Sequence, residues 1–577
     1  MDYANLDQGI GRVSYDMVWQ EKAQGALLGA AIGDALGWPH ERRDGKSSSP
    51  KYTVRARVYF QPWYWRAGGR FNRHEEKINA GEYSDDTQLL LATARAIHYG
   101  SKWRDSFYYQ ELPLWLLYER GGGSATKAAA EAWAQGSPPW SSNQSRGSNP
   151  GTYFQAGGNG AAMRVLPHVL VPGRAREEVQ RDVLVNSIAT HGHPRALVGA
   201  LVYAEAVWHA VHLMPPLGYG AIVDSLLENA KSWYGSYQYL AEIADWWEAA
   251  NIAYGGQYPQ KWSEAVSEMI GLLELIKSEL AKGTLANTTE VLARIGCFDR
   301  NTKGSGVATV AAAVYLGSQY AADPVTGILE AAYAEGADTD TIASMLGGVL
   351  GAIHGIEWLR PEWSSLQDFS YIKQIASITA TSISTNEYPA GGIKKWTKKD
   401  SSLVIKALGS GSVDHLDLGP LGKAQVHSVV THISNMRSKT AISWKLVSEH
   451  GQTIYIKHFE PSRTQEYKGV GSAPTYESGQ NPARRVALLL GELSTYFPPD
   501  VQTAEALRFV ASVIDAFEDQ RPRLGDRVLA AQIRNDKRLW ELMQPALACR
   551  PRCLKDDQVV KICRTVGSRL YEGIANW

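Results

Sequence analysis

The stretch GADTDTIASMLGGVLGAIHG, Gly336 to Gly355, sets two carboxylates, Asp338 and Asp340, at the mouth of a long apolar run. Within it Ile342, Met345, Leu346, Val349, Leu350 and Ile353 recur at steps of three and four, one unbroken stripe that predicts a buried α-helix. The acids then occupy its first turn, where backbone N–H groups without helical partners and the helix dipole favour negative charge. A second stretch, GEYSDDTQLLLATARAI from Gly81 to Ile97, repeats the design with Ser84, Asp85, Asp86 and Thr87. Taken singly, Ser84 and Asp338 read as N-caps with acidic neighbours. Taken together, they put two pairs of carboxylates on the rigid starts of two core helices. GDALGWPHE, with Asp34 and Glu41, adds a third acidic cluster.

Outward from these helices, the pattern from Tyr15 to about Ser384 stays 3.6-periodic and rich in Ala and Gly, which lets helix axes approach closely. No series of alternating strands interrupts it, so an all-α domain is predicted over residues 15–385. The segment TSISTNEYPAGGIKKWTKKDSS, Thr381 to Ser402, combines Pro389, a glycine pair and four lysines, and a linker is expected at 386–402. Beyond it, TAISWKLVSEHGQTIYIKHFE reads as a β-hairpin turning near EHGQ. A later helix carries Leu507, Val510, Ile514 and Phe517 on one face. Residues 403–577 are therefore expected to form a smaller α+β domain.

The chain has 577 residues, 44% apolar and 20% charged, a composition that belongs to folded globular proteins and excludes a disordered one. Its zero net charge conceals an asymmetry: residues 391–577 hold 27 Lys and Arg against 19 Asp and Glu, and residues 1–390 hold 32 against 40. The basic part includes IKKWTKKDSS and Arg521, Arg523, Arg527, Arg534 and Arg538. It reads either as an ordinary solvated pattern or as a surface that recruits a polyanion or an acidic protein. The first twenty residues contain acids and no continuous apolar core, unlike a secretory signal. TIASMLGGVLGAIHGI is too short to span a bilayer, so a soluble, cytoplasmic protein with no membrane partner is expected. Four cysteines suit a reducing compartment, and Cys549, Cys553 and Cys563 read as buried helical thiols rather than zinc ligands, since no histidine follows His458.

If Glu41, Asp85, Asp86, Asp338 and Asp340 converge, five negative charges meet in one cleft, and two divalent cations nearly balance them. Oxygen-only ligands select hard cations such as Mg²⁺ or Mn²⁺. YFQAGGNGAAMR adds a Gly-rich turn followed by a helix, a pattern whose N–H groups can cradle a pyrophosphate but which is commonly only a loop. RVYFQPWYWRAGGRFNRHEE, Arg57 to Glu76, interleaves aromatics with arginines: a loop packed on the helices, or one that stacks on adenine or meets an acceptor.

The ordered set of motifs resembles the ADP-ribosylglycohydrolases, from about Gly25 to Gly355. The motifs are GALLGAAIGDALG, Glu41, SDDT, GGNGAAMRVLP at Gly157, THGHPRA at Thr190, GSGVATVAAA at Gly304 and GADTDTIASMLGG. The resemblance implies an all-α fold around two Mg²⁺ or Mn²⁺ ions. One set of ligands would be Ser84, Asp85 and Asp86, the other Asp338, Asp340 and Thr341. Glu41 would serve with Asp85 and Asp86 in catalysis as the acid nearest the reacting ribose, acting on a proton either of water or of the leaving group. Asp34 is expected to have a structural hydrogen-bonding role. Gly157, Gly158, Asn159, Gly160 and His191 would contact ADP-ribose. The implied reaction is metal-dependent hydrolysis of the ribosyl bond between ADP-ribose and a modified protein side chain or nucleic acid. Two readings from other classes are a non-catalytic ADP-ribose-binding module and a metal-dependent nucleotide phosphohydrolase.

Overall fold

The computed structural model describes residues 10–41, 58–68, 74–141, 150–213, 217–381, 393–411, 413, 415–433, 439–461, 506, 509–510, 512–513, 516, 538–539, 541, 543–544, 546–551 and 554–570. The elements that matter below are, in chain order, α1 (Ile10–Glu41), β1 (Trp63–Ala67), β2 (His74–Ile78), α2 (Asp85–Ile97), α3 (Pro194–His212), α4 (Ala244–Tyr254), α5 (Tyr258–Leu280), α6 (Gly306–Gln319), α7 (Thr339–His354), α8 (Phe369–Thr379), α9 (Lys398–Ser410), β3 (His415–Asp417), β4 (Lys423–Ile433), β5 (Lys439–Ser448), β6 (Thr453–Pro461) and α10 (Asp556–Leu570). The chain divides into two compact units, Met1–Thr464 and Gln465–Trp577.

Helices α1 and α7 form the axis of the first unit. Gly25, Gly29, Gly33 and Gly37 lie one turn apart on α1 and meet, in antiparallel order, the backbone of Gly355, Gly347, Ala343 and Thr339. The approach is so close that a Cβ on Gly33 would stand 2.0 Å from the Ala343 carbonyl oxygen, and one on Gly347 2.0 Å from that of Gly29. At Gly25, Gly29, Gly33, Gly37 and Gly347 no larger residue fits without separating the helices. The stripe read from the sequence is buried as expected, with Ile342, Met345, Leu346, Val349, Leu350 and Ile353 all at 1% exposure or less.

The four-stranded antiparallel sheet, in the order β3-β4-β5-β6, belongs to this same unit. Trp444 pairs with Ile456 and Leu446 with Ile454, and these four side chains are buried in one hydrophobic cluster with α1, α2 and α7. Between them in the register, Lys445 pairs with Tyr455, which places those two side chains on the opposite face. The hairpin expected at EHGQ is present as β5 and β6. The division of the chain, however, falls at Thr464/Gln465 rather than within 386–402. The change of texture there marks a change of element type, not the edge of a core: the Trp396 N–H donates to the Tyr109 carbonyl at 2.7 Å, and Thr397 with Asp400 forms the capping box that opens α9. Pro389 lies outside the described residues.

A second difference lies in the Arg57 to Glu76 stretch, where β1 and β2 pair as a hairpin from Trp63↔Ile78 to Ala67↔His74. Trp63 and Trp65, on one face of β1, pack on Trp38 of α1 at ring separations of 5.2 and 5.7 Å. In the second unit Ala506, Phe509, Val510, Val513 and Ala516 are buried at helical spacing. Leu507, Ile514 and Phe517 lie outside the described residues, as do Arg521, Arg523, Arg527 and Arg534. Cys563 on α10 is buried, as expected for a helical thiol, whereas Cys553 and the side chain of Cys549 lie outside the described residues. Among the described residues no helix is long and apolar enough to cross a membrane.

Candidate active site

Both acidic pairs sit where the sequence puts them, at the starts of α2 and α7. Ser84 is the N-cap of α2 in extended conformation, and its hydroxyl accepts from the Asp86 N–H at 3.2 Å. Asp338 is the N-cap residue of α7, but its side chain makes no capping bond. Its Oδ2 instead accepts from the Asn159 side chain at 2.8 Å, while the Thr341 N–H is taken by Oδ1 of Asp340 at 2.9 Å. A simple cap explains Ser84 and does not explain Asp338.

The two pairs converge, 254 positions apart in sequence for Asp86 and Asp340. Glu41, Asp338 and Asp340 each offer a carboxylate oxygen, and these oxygens lie within 4.8 Å of one another. Burial pushes Asp340 well above the ordinary carboxylate range, and Glu41, Asp338 and Asp86 push it further. Asp86 is raised in the same way, by burial first and then by Asp34, Asp85 and Asp338. Asp85 is raised by burial and then by Glu119, Asp34 and Glu41. The strongest charge interactions of these three acids are all with other carboxylates. Asp86 Oδ2 is buried with no hydrogen-bond partner among the described residues. An all-oxygen set with an orphaned buried carboxylate oxygen fits a hard cation.

Asp34 differs from its neighbours. Fully buried on α1, it accepts the Ser84 N–H with both oxygens at 3.1 Å, and Oδ2 also takes the Thr87 N–H at 3.0 Å and the Thr87 hydroxyl at 2.6 Å. It fastens the start of α2 to α1, as its expected hydrogen-bonding role requires.

The Gly-rich turn is pinned to the loop before α6. Gly306 N–H donates to the Gly157 carbonyl at 2.9 Å, Asn159 N–H to that of Gly304 at 3.0 Å, and Gly158 bridges Ser305. The Asn159 amide, joined to Asp338 and to Thr309, couples the turn to the acids. Gly304, at φ +75°, lies so near that a Cβ would be 2.8 Å from Asp338 Oδ2. A helix dipole does not follow the turn as expected: Ala162–Arg164 is one 3₁₀ turn and Leu166–Val169 one short helical turn. Arg164, at the end of the 3₁₀ turn, is buried and bonded to Asn186 and to the Gly160 carbonyl. His191 faces the turn, its Cε1 3.0 Å from where a Cβ on Gly160 would be. Its Nδ1 meets the Thr190 hydroxyl at 2.7 Å, and burial pushes its pKa down to about 3, so the ring is neutral. His193 is the N-cap of α3, its Nδ1 accepting from the Arg195 N–H.

One part of the site was not singled out from the sequence. Gly121, at φ +102°, lies beside Asp85 and Trp38, with a hypothetical Cβ 3.1 Å from Asp85 Oδ1. The glycine triplet Gly121–Gly123 was its only local signal. A cavity of about 820 Å³, bordered by Trp140, Phe154, His193, Arg195 and Tyr254, has none of the site's acids or turn residues in its lining, and the His193 ring stands between it and Gly157.

A family model described as ADP-ribosylglycohydrolase matches residues 16–389. The chain is 26% identical to the Escherichia coli (strain K12) "Uncharacterized protein YegU" over 351 residues, 59% of this chain and 90% of that protein. It is 25% identical to the Rhodospirillum rubrum "ADP-ribosyl-[dinitrogen reductase] glycohydrolase" over 33% of this chain, and 26% identical to the Pseudomonas putida (strain GB-1) "ADP-ribosylarginine hydrolase Tri1" over 31%. It spans 58% and 43% of the length of these two. A solved "ADP-ribosylglycohydrolase-related protein complex" chain matches 63% of this chain and 98% of its own length, at 20% identity and a TM-score of 0.39. The chain belongs to the ADP-ribosylglycohydrolase family.

Proposed function

We propose that the protein hydrolyses the ribosyl bond of an ADP-ribosylated acceptor and releases intact ADP-ribose, with two Mg²⁺ or Mn²⁺ ions held by Ser84, Asp85 and Asp86 on one side and Asp338, Asp340 and Thr341 on the other. The observation that carries this reading is the convergence of the α2 and α7 acids with Glu41, unbalanced by any cation among their strongest interactions. The relatives named as a glycohydrolase and as an ADP-ribosylarginine hydrolase support the bond type and make arginine the first acceptor to test.

The cations would supply Lewis acidity toward the ribose hydroxyls and the attacking water. The chain's own residues do the rest. Glu41, half-buried beside Asp338 and Asp340, moves a proton between water and the departing acceptor, so that water's OH ends on the ribose C1″ and its proton on the acceptor. Asp34 holds the start of α2, and Asn159 ties the ligand turn to Asp338. His191, neutral and fixed at Nδ1 by Thr190, presents Nε2 to the ligand side.

The test is incubation with ADP-ribosylated arginine, serine and nucleic acid, with and without Mg²⁺, and identification of products by mass. Intact ADP-ribose is expected, only with the cation. AMP or phosphate as product would replace this reading by phosphohydrolysis, and tight binding without turnover by a binding module. Glu41→Gln is expected to keep ADP-ribose binding while losing turnover; equal loss of both would make Glu41 a ligand or structural residue.

A further inference from the structure

Strand β6 lies beyond the residues matched by the family model, yet its first positions and the residue just before it reach back to the two ends of α2. The Tyr455 hydroxyl donates to Glu82 Oε1 at 2.6 Å, and the other oxygen of Glu82 accepts from Arg120 Nη2 at 2.9 Å. The Thr453 N–H donates to Asp368 Oδ2 at 2.9 Å, the same oxygen that accepts the Tyr83 hydroxyl at 2.6 Å. Gln452, just before the strand, accepts from Arg95 Nη1 at 2.5 Å. Glu82 and Tyr83 immediately precede Ser84, and Arg95 stands in the last turn of α2.

Two further observations show that this contact is built. Asp368, before α8, is the only non-glycine residue at positive φ among the described residues, at 59°, a conformation that persists where surrounding bonds over-determine it. Arg120, 4% exposed, has its guanidinium 4.1 Å from the Tyr455 ring centre and 5.4 Å from that of Trp38. Its Nε and Nη1 have no hydrogen-bond partner among the described residues, so the rings and Glu82 fix it. The next residue, Gly121, lies against Asp85.

We infer that β6 is a positioning strand for the α2 carboxylates: through Glu82 and Tyr83 it sets the position at which Asp85 and Asp86 face Asp338 and Asp340. The inference rests on the reading of Asp85 and Asp86 as cation ligands. Tyr455, Thr453 and Asp368 are positioning residues, since they touch the residues that lead into SDDT and not the acids themselves.

The full-length protein tests it with Tyr455→Phe, which keeps the ring over Arg120 and removes the bond to Glu82, and with Asp368→Asn, which weakens the hold on Tyr83. Mn²⁺ binding is followed by electron paramagnetic resonance, and hydrolysis with ADP-ribosylated arginine. Each variant is expected to bind Mn²⁺ about tenfold more weakly and to lose about tenfold in kcat, as when an outer partner of a metal ligand is removed. KM should be unchanged, because the glycine turn and His191 stand on other segments, and excess Mn²⁺ should restore part of kcat. Wild-type Mn²⁺ affinity and kcat in both variants, or a change confined to KM, overturns the inference. If Tyr455→Phe does not fold, Asp368→Asn decides alone. A wild-type protein that binds no Mn²⁺ and releases no ADP-ribose overturns the cation reading itself, whereas an active wild type with silent variants overturns only the role of β6.

Discussion

Glu111 and Asp340 are both carboxylates buried within the first unit, but one meets a guanidinium and the other meets more carboxylate. Glu111 takes two parallel bonds from Arg95, at 2.9 and 2.7 Å. Glu82 is matched by Arg120, and Glu76 by Lys457 and His74, which hold its pKa down to about 2 against the effect of burial. Asp340, Asp85 and Asp86 face acids, and burial with mutual repulsion drives all three up. The chain places a cation beside a buried acid in several places within the same unit. Among the described residues, the leading charge interactions at the α2 and α7 starts are with other carboxylates instead, the arrangement the proposed cation site requires.

The largest test of this contrast is on the paired side. Arg95→Ala leaves Glu111 buried and uncompensated, and is expected to cost about 3–5 kcal/mol of stability. Urea unfolding checks it, and a loss below about 1 kcal/mol would mean that water or relaxation replaces the partner easily.

On the unpaired side the sign reverses. Asp340→Asn relieves repulsion, so the cation-free protein should be as stable as wild type or more so, while turnover falls on the order of a hundredfold, about 2.7 kcal/mol of transition-state stabilisation. Asp85→Asn should behave alike. Near-normal turnover by both at limiting Mg²⁺, or destabilisation comparable to Arg95→Ala, breaks the contrast.

Mg²⁺ itself should then stabilise. At a hundred times its dissociation constant the gain is about 2.7 kcal/mol for a ligand bound only by the folded state. Asp86→Asn should lose most of that shift in thermal unfolding, and an equal shift in both proteins would place the ion elsewhere.

The smallest effect is a pH slope. His191 is buried with its pKa lowered from 6.5 to about 3, so the unfolded chain binds a proton there that the folded chain refuses. The stability it contributes is fully present above pH 6.5 and is lost as pH falls toward about 3, with a slope of about 1.4 kcal/mol per pH unit within that window. Wild type should therefore lose more stability than His191→Gln between pH 6 and pH 5 in urea unfolding. Equal losses would mean that the ring takes up its proton while folded.

The starts of α2 and α7 were legible because caps, acids and periodic stripes are local signals. The convergence of Asp86 with Asp340 was not local: the repeated acid-pair design raised it as a condition, and the ordered motifs of the family supported it. The β1–β2 hairpin escaped because WYWRA alternates half-buried with exposed positions over only five residues, too short to stand out beside helical periodicity. The joining of the sheet to the helical core was illegible for a different reason. It depends on single contacts such as Tyr455 with Glu82, 373 positions apart, which leave no periodic trace. A run of lysines and glycines reads as a linker whether or not a core continues past it.

The glycine ladder between α1 and α7 makes the two acidic supports unequal. In a calliper one jaw is fixed and the other slides, and here α1 with α7 is the fixed jaw. Backbone rests on backbone from Gly25 to Gly37, and the Thr339 hydroxyl closes the end by donating to the Gly37 carbonyl at 2.8 Å. No side chain stands between them to be trimmed or lengthened. The α2 jaw is set by side chains, through Asp34, Glu82 and Tyr83. If the proposed cations bind here, a backbone shift that changes the gap between the two acid pairs falls to the α2 side.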